Sequence, residues 1–204
     1  MSRAAEFYVA AGVLFIAFLA LGELVIRRPA LRVDSAALFH AQATPLARVF
    51  TATGRWPFLL AAFVLVTAMF AAQHRGIWLP VLLTVSQLVT QVLAELFKVH
   101  YRRVRPDYWI AGLDPGKSFP SGHAVTAIVF FGGWACVVAF SALPAEPKYM
   151  LVALLVAWAV GIDWSRLALG AHYLTDIAGG TLLGCAWLCA VLGALQQAAL
   201  VHLP

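Results

Sequence analysis

Three short stretches of the sequence combine histidine, arginine, lysine and aspartate at spacings that suit chemistry on a phosphate group. The last of them reads DWSRLALGAHYLTD over residues 163–176 and contains Arg166, His172 and Asp176. Because helical side chains lean toward the N-terminus, a continuous helix would bring the Asp176 carboxylate back to His172, four residues earlier. A carboxylate that accepts the Nδ1–H of an imidazole fixes its tautomer and leaves Nε2 free to act. Arg166 adds a permanently charged donor fork that suits phosphate oxygens.

A second stretch, FPSGH over residues 119–123, stands directly in front of a long hydrocarbon run. Ser121 is a favourable N-cap residue, so the sequence predicts a helix that begins here. The N-terminus of a helix presents unpaired N–H groups and the positive end of the helix dipole, which together favour a bound anion. His123 lies in the first turn of this helix. It either takes part in chemistry at such an anion or is a helix-start histidine whose hydrogen bonds are satisfied locally.

Two basic residues precede that stretch. Lys98 and Arg105 are seven residues apart, two helical turns, and share a face if the chain between them is helical. Pro106 disfavours the α conformation at Arg105, so the helix is predicted to end there. Two cations that project from one side suit a phosphate group. The alternative is that both are anchors whose charged ends reach the water at a membrane surface.

The three stretches together resemble the signature of the type 2 phosphatidic acid phosphatase family. The matching residues, in the same order along the chain, are Lys98-(six residues)-Arg105-Pro106, Pro120-Ser121-Gly122-His123 and Ser165-Arg166-(five residues)-His172-(three residues)-Asp176. The resemblance covers residues 98–176. It departs from the family at Leu174, where many members have proline between the histidine and the aspartate.

The resemblance implies a role for each of these residues. His172 is expected to be the nucleophile that forms a phosphohistidine, and Asp176 is expected to orient it. His123 is expected to protonate the leaving group and later to help activate water. The phosphoryl oxygens are expected to lie among Lys98, Arg105, Ser121, Gly122 and Arg166. Phosphoryl transfer depends mainly on such positioning and on stabilising oxygen charge. No acidic cluster for magnesium is visible in the sequence, and three cations take its place, so we expect neither a metal nor a cofactor.

The helices that carry these motifs are predicted to cross a membrane. Of the 204 residues, 63% are hydrophobic and 11% are charged, whereas about 25% are charged in an ordinary soluble domain. A bilayer core of about 30 Å requires roughly 20 apolar residues per helix. Six stretches meet this requirement: 6–26, 56–74, 76–96, 123–142, 148–168 and 177–200. We therefore predict an all-α polytopic membrane protein, one domain over residues 1–204, with six transmembrane helices in one bundle. The first span is interpreted as a retained anchor rather than a signal peptide.

Two of the predicted connections are long enough to hold chemistry, 27–55 and 97–122. If the chain crosses the membrane six times, both connections and the turn over 166–176 lie on the same side of the membrane. An amphipathic helix that lies in the interface is predicted in the first connection by four apolar residues at helical spacing: Phe39, Ala43, Leu46 and Phe50. Pro45 should break or kink this helix.

Polar residues also line one face of the third predicted span, namely Thr84, Gln87, Gln91, Glu95 and Lys98. Polar groups inside a membrane usually face the bundle interior or a water-filled cavity. This face therefore either forms hydrogen bonds between helices or is the polar wall of a substrate cavity. Asp163, three residues before Arg166, either forms an ion pair with that arginine or contacts the substrate.

The sequence thus favours an integral-membrane phosphatase that hydrolyses a phosphomonoester or a pyrophosphate of a lipid. Candidate substrates are phosphatidic acid, phosphatidylglycerophosphate, undecaprenyl pyrophosphate and a lipid A phosphate. The alternatives are a lipid phosphotransferase that uses the same phosphohistidine, and an anion or lipid transporter. The expected partners are the bilayer and the lipid phosphate, with no nucleic acid. Vanadium haloperoxidases resemble the chain at these motifs, but they are soluble, which six spans argue against.

Two arguments disagree about which side of the membrane carries the site. Eleven of the fourteen lysine and arginine residues lie on the side of the motifs, which the positive-inside rule assigns to the cytoplasm. The resemblance implies the periplasmic face of the inner (plasma) membrane, with both termini inside. We follow the resemblance, because basic residues in the first connection can also attract anionic lipid headgroups.

Overall fold

Long apolar helices make up most of the computed structural model, which describes residues 2–28, 31–38, 43–74, 76–106 and 116–198. These residues contain no β-strand. The six longest helical segments are α1 (Arg3–Arg27), α4 (Trp56–Ala72), α5 (Trp78–Tyr101), a composite segment from Gly122 to Ala139, α8 (Ala145–Ala168) and α9 (Leu174–Gln197). The composite segment comprises α6 (Gly122–Thr126), a π-helical stretch (Ala127–Gly132) and α7 (Gly133–Ala139). Two short helices, α2 (Arg32–Leu38) and α3 (Pro45–Thr53), lie between α1 and α4.

Five of these segments are long and apolar enough to cross a membrane: α1, α5, the composite segment, α8 and α9. Helix α4 has 17 residues and follows α3 at a bend of 56°; counted together as one bent span, the pair raises the number of candidate spans from five to six. Large apolar side chains point away from the bundle, such as Ile16, Val92 and Leu60, each at least 60% exposed. Such a surface would be costly in water but fits lipid tails, which are equally apolar. The chain is a multi-pass membrane protein, as predicted.

The first connection differs in detail from the single amphipathic helix suggested by the sequence. Residues 43–44 are not helical, so the helix is broken before Pro45 as expected, and Pro45 itself begins α3. A proline is favourable at the first helical position because it lacks only an N–H that would have no partner there. The Thr44 hydroxyl caps this end by accepting from the Ala47 N–H at 3.1 Å. Phe50 of α3 packs directly over Gly161 of α8, so α3 is attached to the bundle. Phe39 lies outside the described residues.

The turn that precedes α6 is held between α1, α5 and α9. Phe119 is fully buried and stacks on Phe18 of α1 at a centroid distance of 5.7 Å, with Tyr101 of α5 edge-on at 5.1 Å. On the other side, the Ser121 N–H donates to the backbone carbonyl of Asp176 at 3.0 Å. These contacts bring the start of α6 and the start of α9 together at the end of the bundle where α5 ends.

Close approach of α9 to this turn depends on a glycine. A Cβ atom added at Gly180 would lie 2.5 Å from the Ser121 carbonyl oxygen and 2.7 Å from the Ala124 Cβ. Small residues are common where transmembrane helices pack closely, because they let the backbones approach. Gly180 therefore fixes how near α9 lies to the FPSGH turn.

Candidate active site

A cavity of about 550 Å³ opens at this end of the bundle. It is lined by residues from all three motifs: Lys98, Arg105, Gly122, His123, Arg166 and His172. The structure thus brings six of the eight predicted site residues around one space, although they come from three separate stretches of the chain. The other two, Ser121 and Asp176, are fully buried behind them.

The turn that presents His172 follows from the sequence after α8. Gly170 adopts the left-handed conformation (φ 65°), which costs glycine little. Around it the Gly170 N–H donates to Leu167 and the Ala171 N–H to the Arg166 carbonyl, which ends the helix. His172 therefore precedes α9 instead of lying on a continuous helix with Asp176, as the sequence had suggested. Its Nδ1 still lies 3.5 Å from Asp176 Oδ2, so the two side chains meet across the start of α9.

The charge state of His172 is set by its surroundings. Burial is the main cause that lowers its pKa to about 4, and the nearby Arg166 and Arg105 guanidinium groups lower the pKa further. The Asp176 carboxylate, with Oδ2 3.5 Å from Nδ1, opposes them by raising the pKa through this polar contact and its negative charge. At neutral pH the imidazole is consequently uncharged. Its Nε2 lies 3.1 Å from Arg105 Nη1, on the cavity side.

Asp176 is held by three donors in addition to its contact with His172. Its Oδ1 accepts from Arg103 Nη1 at 2.7 Å. Its Oδ2 accepts from the Tyr173 N–H at 2.8 Å and from the Ser118 hydroxyl. The orientation of the carboxylate is therefore determined on both oxygens.

His123 faces the same cavity from the first turn of α6. Its ring forms a hydrogen bond with the backbone of Thr51 in α3, while Nε2 has no hydrogen-bond partner among the described residues. Ser121, which precedes it, is the N-cap of α6 and accepts from the Ala124 N–H at 3.4 Å. The described residues that line the cavity include Gly122 but not Ser121. The predicted contact of Ser121 with phosphate therefore has no direct counterpart in this geometry.

The three predicted phosphate-binding cations lie around the cavity, each with protein partners. Lys98 Nζ lies 2.6 Å from Glu95 Oε1. Arg105 donates to the Ala171 carbonyl at 2.8 Å, and Arg166 donates to the Thr51 hydroxyl at 3.3 Å. Arg166 is almost completely buried, so its charge acts in surroundings with little water.

Both interpretations of the polar face of α5 apply, at different depths. Deeper in the bundle, Gln87 Nε2 donates to the Thr126 hydroxyl at 2.8 Å, which joins two helices. Gln91 makes the same kind of bond to Thr126 at 2.6 Å and one to the Gly122 carbonyl at 2.9 Å, but it also lines the cavity. Nearer the helix end, Glu95 forms part of the cavity wall.

Asp163, for which the sequence left two roles open, hydrogen bonds with Thr181 of α9. Asp163 is not among the described residues that line the cavity.

Sequence reasoning missed several residues that build the site. Arg55, Trp56 and Pro57 line the cavity from the bend between α3 and α4. Asp34 and Arg103 are buried next to Asp176, where Arg103 Nη2 lies 2.7 Å from Asp34 Oδ2. No local spacing connects Asp34 with residues some 70 and 140 positions later, so only the fold reveals these contacts.

Known proteins with similar sequences and structures carry related activities in their names. The family model of the PAP2 superfamily matches residues 75–199. A crystal structure described as the first transmembrane PAP2 type phosphatidylglycerolphosphate phosphatase, from Bacillus subtilis, superposes with a TM-score of 0.76 at 25% identity, covering 95% of this chain and 98% of that one. Phosphatidylglycerophosphatase B of Bacillus subtilis is 33% identical over 143 residues, 66% of each protein. Lipid A 1-phosphatase of Rhizobium johnstonii is 30% identical over 120 residues, 54% of this chain and 45% of the relative, so the chain spans about half the length of that relative.

Proposed function

Because this chain belongs to the PAP2 superfamily, we propose that it is a membrane phosphatase that removes phosphate from a lipid phosphate or diphosphate. The observation that carries the proposal is the cavity in which two histidines face three cations at the end of an apolar bundle. The relatives support it, since they are named as phosphatases of phosphatidylglycerophosphate and of lipid A. An anion or lipid transporter would not require the His172–Asp176 pair and His123 together.

In the first step, Nε2 of neutral His172 attacks phosphorus, and the bond from phosphorus to the leaving oxygen breaks. His123 donates a proton to that oxygen, so the lipid leaves as an alcohol or, from a diphosphate, as a lipid phosphate. His172 then carries the phosphoryl group as a phosphohistidine with a positive ring, which the Asp176 carboxylate stabilises.

In the second step, water attacks the phosphohistidine and gives a proton to His123. The bond from phosphorus to Nε2 breaks, inorganic phosphate is released, and His172 returns to its neutral state. During both steps Lys98, Arg105 and Arg166 stabilise the negative charge on the phosphoryl oxygens, and the Gly122 backbone completes the cradle. If an alcohol replaced water, the same site would act as a phosphotransferase.

The cavity wall suits an amphiphilic substrate. Besides the charged residues, the lining includes Trp56, Pro57 and Leu59 of α4. A lipid could therefore place its phosphate among the cations while its apolar part meets this side of the cavity and the surrounding bilayer. We include phosphatidic acid, phosphatidylglycerophosphate, undecaprenyl pyrophosphate and a lipid A phosphate in the proposed substrate class.

The function is tested by phosphate release from these four lipids, with purified protein in detergent micelles and a chelator present. We expect hydrolysis of at least one lipid in the wild type and none by folded His172→Ala protein. Analysis of the products separates free phosphate from a phosphorylated acceptor. Failure of the wild type to act on any lipid, with or without added magnesium, would contradict the proposal.

A further inference from the structure

Arg103 lies between two buried carboxylates that come from distant parts of the chain. Its Nη1 donates to Asp176 Oδ1 and its Nη2 to Asp34 Oδ2, each at 2.7 Å. The three side chains are at most 6% exposed. Thr175 joins the same group, since its hydroxyl accepts from Arg103 at 2.7 Å and lies within 3.0 Å of both Asp34 oxygens. The Tyr173 ring packs under the guanidinium at 4.1 Å.

We propose that Asp34 and Arg103 are positioning residues for His172, which act on it through Asp176. The inference rests on the proposed function, because it assumes that His172 is the nucleophile. Neither residue lines the cavity among the described residues, so neither is expected to touch the substrate.

The geometry of Asp176 supports this role. Arg103 holds Oδ1, and the donors on Oδ2 come from Ser118 and the Tyr173 backbone. With both oxygens fixed, the carboxylate is directed at His172 Nδ1. Partners of this kind fix the tautomer and the ring orientation of a functional histidine.

The charges support it as well. With both carboxylates and Arg103 ionised, the group carries a net charge of about −1, because Asp34 balances the positive charge of Arg103. The remaining negative charge is available to stabilise the positive ring of the phosphohistidine. Without Asp34, Arg103 would neutralise Asp176 and weaken that stabilisation.

The alternative is that the ion pairs of Arg103 only stabilise the fold, and the two hypotheses predict different results. Removing one partner of a buried pair often destabilises a protein strongly, so Arg103→Gln alone risks misfolding. The double variant Asp34→Asn, Arg103→Gln removes one charge of each sign and keeps the net charge of the group. It therefore tests positioning without leaving an excess buried charge. Arg102→Gln is the matched control, because Arg102 is the exposed neighbour.

The kinetic test uses dioctanoyl phosphatidic acid in mixed micelles, with folding checked by gel filtration and thermal unfolding. In the double variant we expect kcat to fall by about 10- to 100-fold, as when the partner of a functional histidine is removed. KM should change little, because the cations of the cavity are intact. Asp34→Asn should lower kcat less, and Arg103→Lys should retain more activity than the double variant. Arg102→Gln should match the wild type.

Vanadate binding, measured by calorimetry, separates this inference from the function on which it rests. We expect the wild type to bind vanadate and the double variant to bind it more weakly, since the His172 ring is no longer held. A folded double variant with wild-type kcat and wild-type vanadate affinity would overturn the inference alone. A wild type that neither hydrolyses any lipid of the panel nor binds vanadate would overturn the inference and the proposed function together.

Discussion

At the scale of single residues, the proposed chemistry depends on a histidine that stays neutral. His172 is 2% exposed and lies near two guanidinium groups, and these surroundings hold its pKa at about 4. A free histidine has a pKa of about 6.5. Between these values the unfolded chain binds a proton at this position that the folded protein does not. The contribution of His172 to stability is therefore complete above about pH 6.5 and is lost as the pH falls toward 4.

The same shift predicts an unusual reactivity profile. Diethyl pyrocarbonate acylates neutral imidazole. The rate at which it modifies His172, measured by mass spectrometry of the modified peptide, should rise with pH with a midpoint near pH 4. N-acetylhistidine amide, measured in parallel, should show a midpoint about two pH units higher. A midpoint for His172 at or above that of the free compound would show that burial does not lower the pKa of this histidine.

The role of His123 as general acid can be tested through the leaving group. His123→Gln should lower kcat by about 10²- to 10⁴-fold with a lipid alcohol as leaving group. The loss should be smaller with p-nitrophenyl phosphate, whose leaving group needs little protonation. His74→Gln is the control, because His74 follows α4 at the opposite end of the bundle. Equal losses with both substrates would argue against proton transfer by His123.

The sequence identifies the residues of the three motifs because each motif is local, and short spacings can be read along the chain. Arg103 could not be distinguished in this way. It stands in the run RRVR beside Arg102 and Arg105, and the three differ in burial and partners, not in type. No local spacing distinguishes Asp34 in the first connection, because its partner Arg103 is almost 70 residues away.

At the scale of elements, the position of α9 against the FPSGH turn is the critical contact. Replacing glycine by alanine inside a helix usually stabilises it by about 0.5–1 kcal/mol. At Gly180, however, the new Cβ would lie 2.5 Å from the Ser121 carbonyl oxygen, and such overpacking costs about 1–3 kcal/mol. We expect Gly180→Ala to lower both the unfolding temperature and kcat.

Gly12→Ala in α1 is the matched control, because its Cβ would have no neighbour within 4 Å. Its unfolding temperature should be unchanged or higher, with normal activity. If Gly180→Ala behaved in the same way, the close approach of α9 would not be important for the site.

The spans were predictable from hydropathy, and the predicted bounds differ from the helices by a few residues, as 6–26 compares with Arg3–Arg27. The π-helical stretch Ala127–Gly132 and the bend between α3 and α4 were not predictable. Both depend on packing against other helices, which composition and periodicity do not describe. The assignment of residues 1–204 to one domain stays a prediction.

At the scale of the whole molecule, the orientation in the membrane decides which lipids reach the cavity. The basic residues of the motif side include Arg105 and Arg166, which line the cavity, so their charges need not report topology. We propose that the site faces the extracytoplasmic side of the inner membrane with both termini in the cytoplasm. Green fluorescent protein fused after Pro204 should then fluoresce, and alkaline phosphatase fused there should be inactive. The reverse result would place the site in the cytoplasm.

The most direct measurement for the whole account is a search for the covalent intermediate. Purified protein is mixed with phosphatidic acid that carries a ³²P-labelled phosphate, quenched in alkali, where phosphohistidine survives, and digested for mass spectrometry. In the wild type we expect the label on His172, and we expect it to accumulate before phosphate is released. Folded His172→Ala protein should carry no label. Label on another residue, or turnover by His172→Ala at the wild-type rate, would contradict the proposed mechanism.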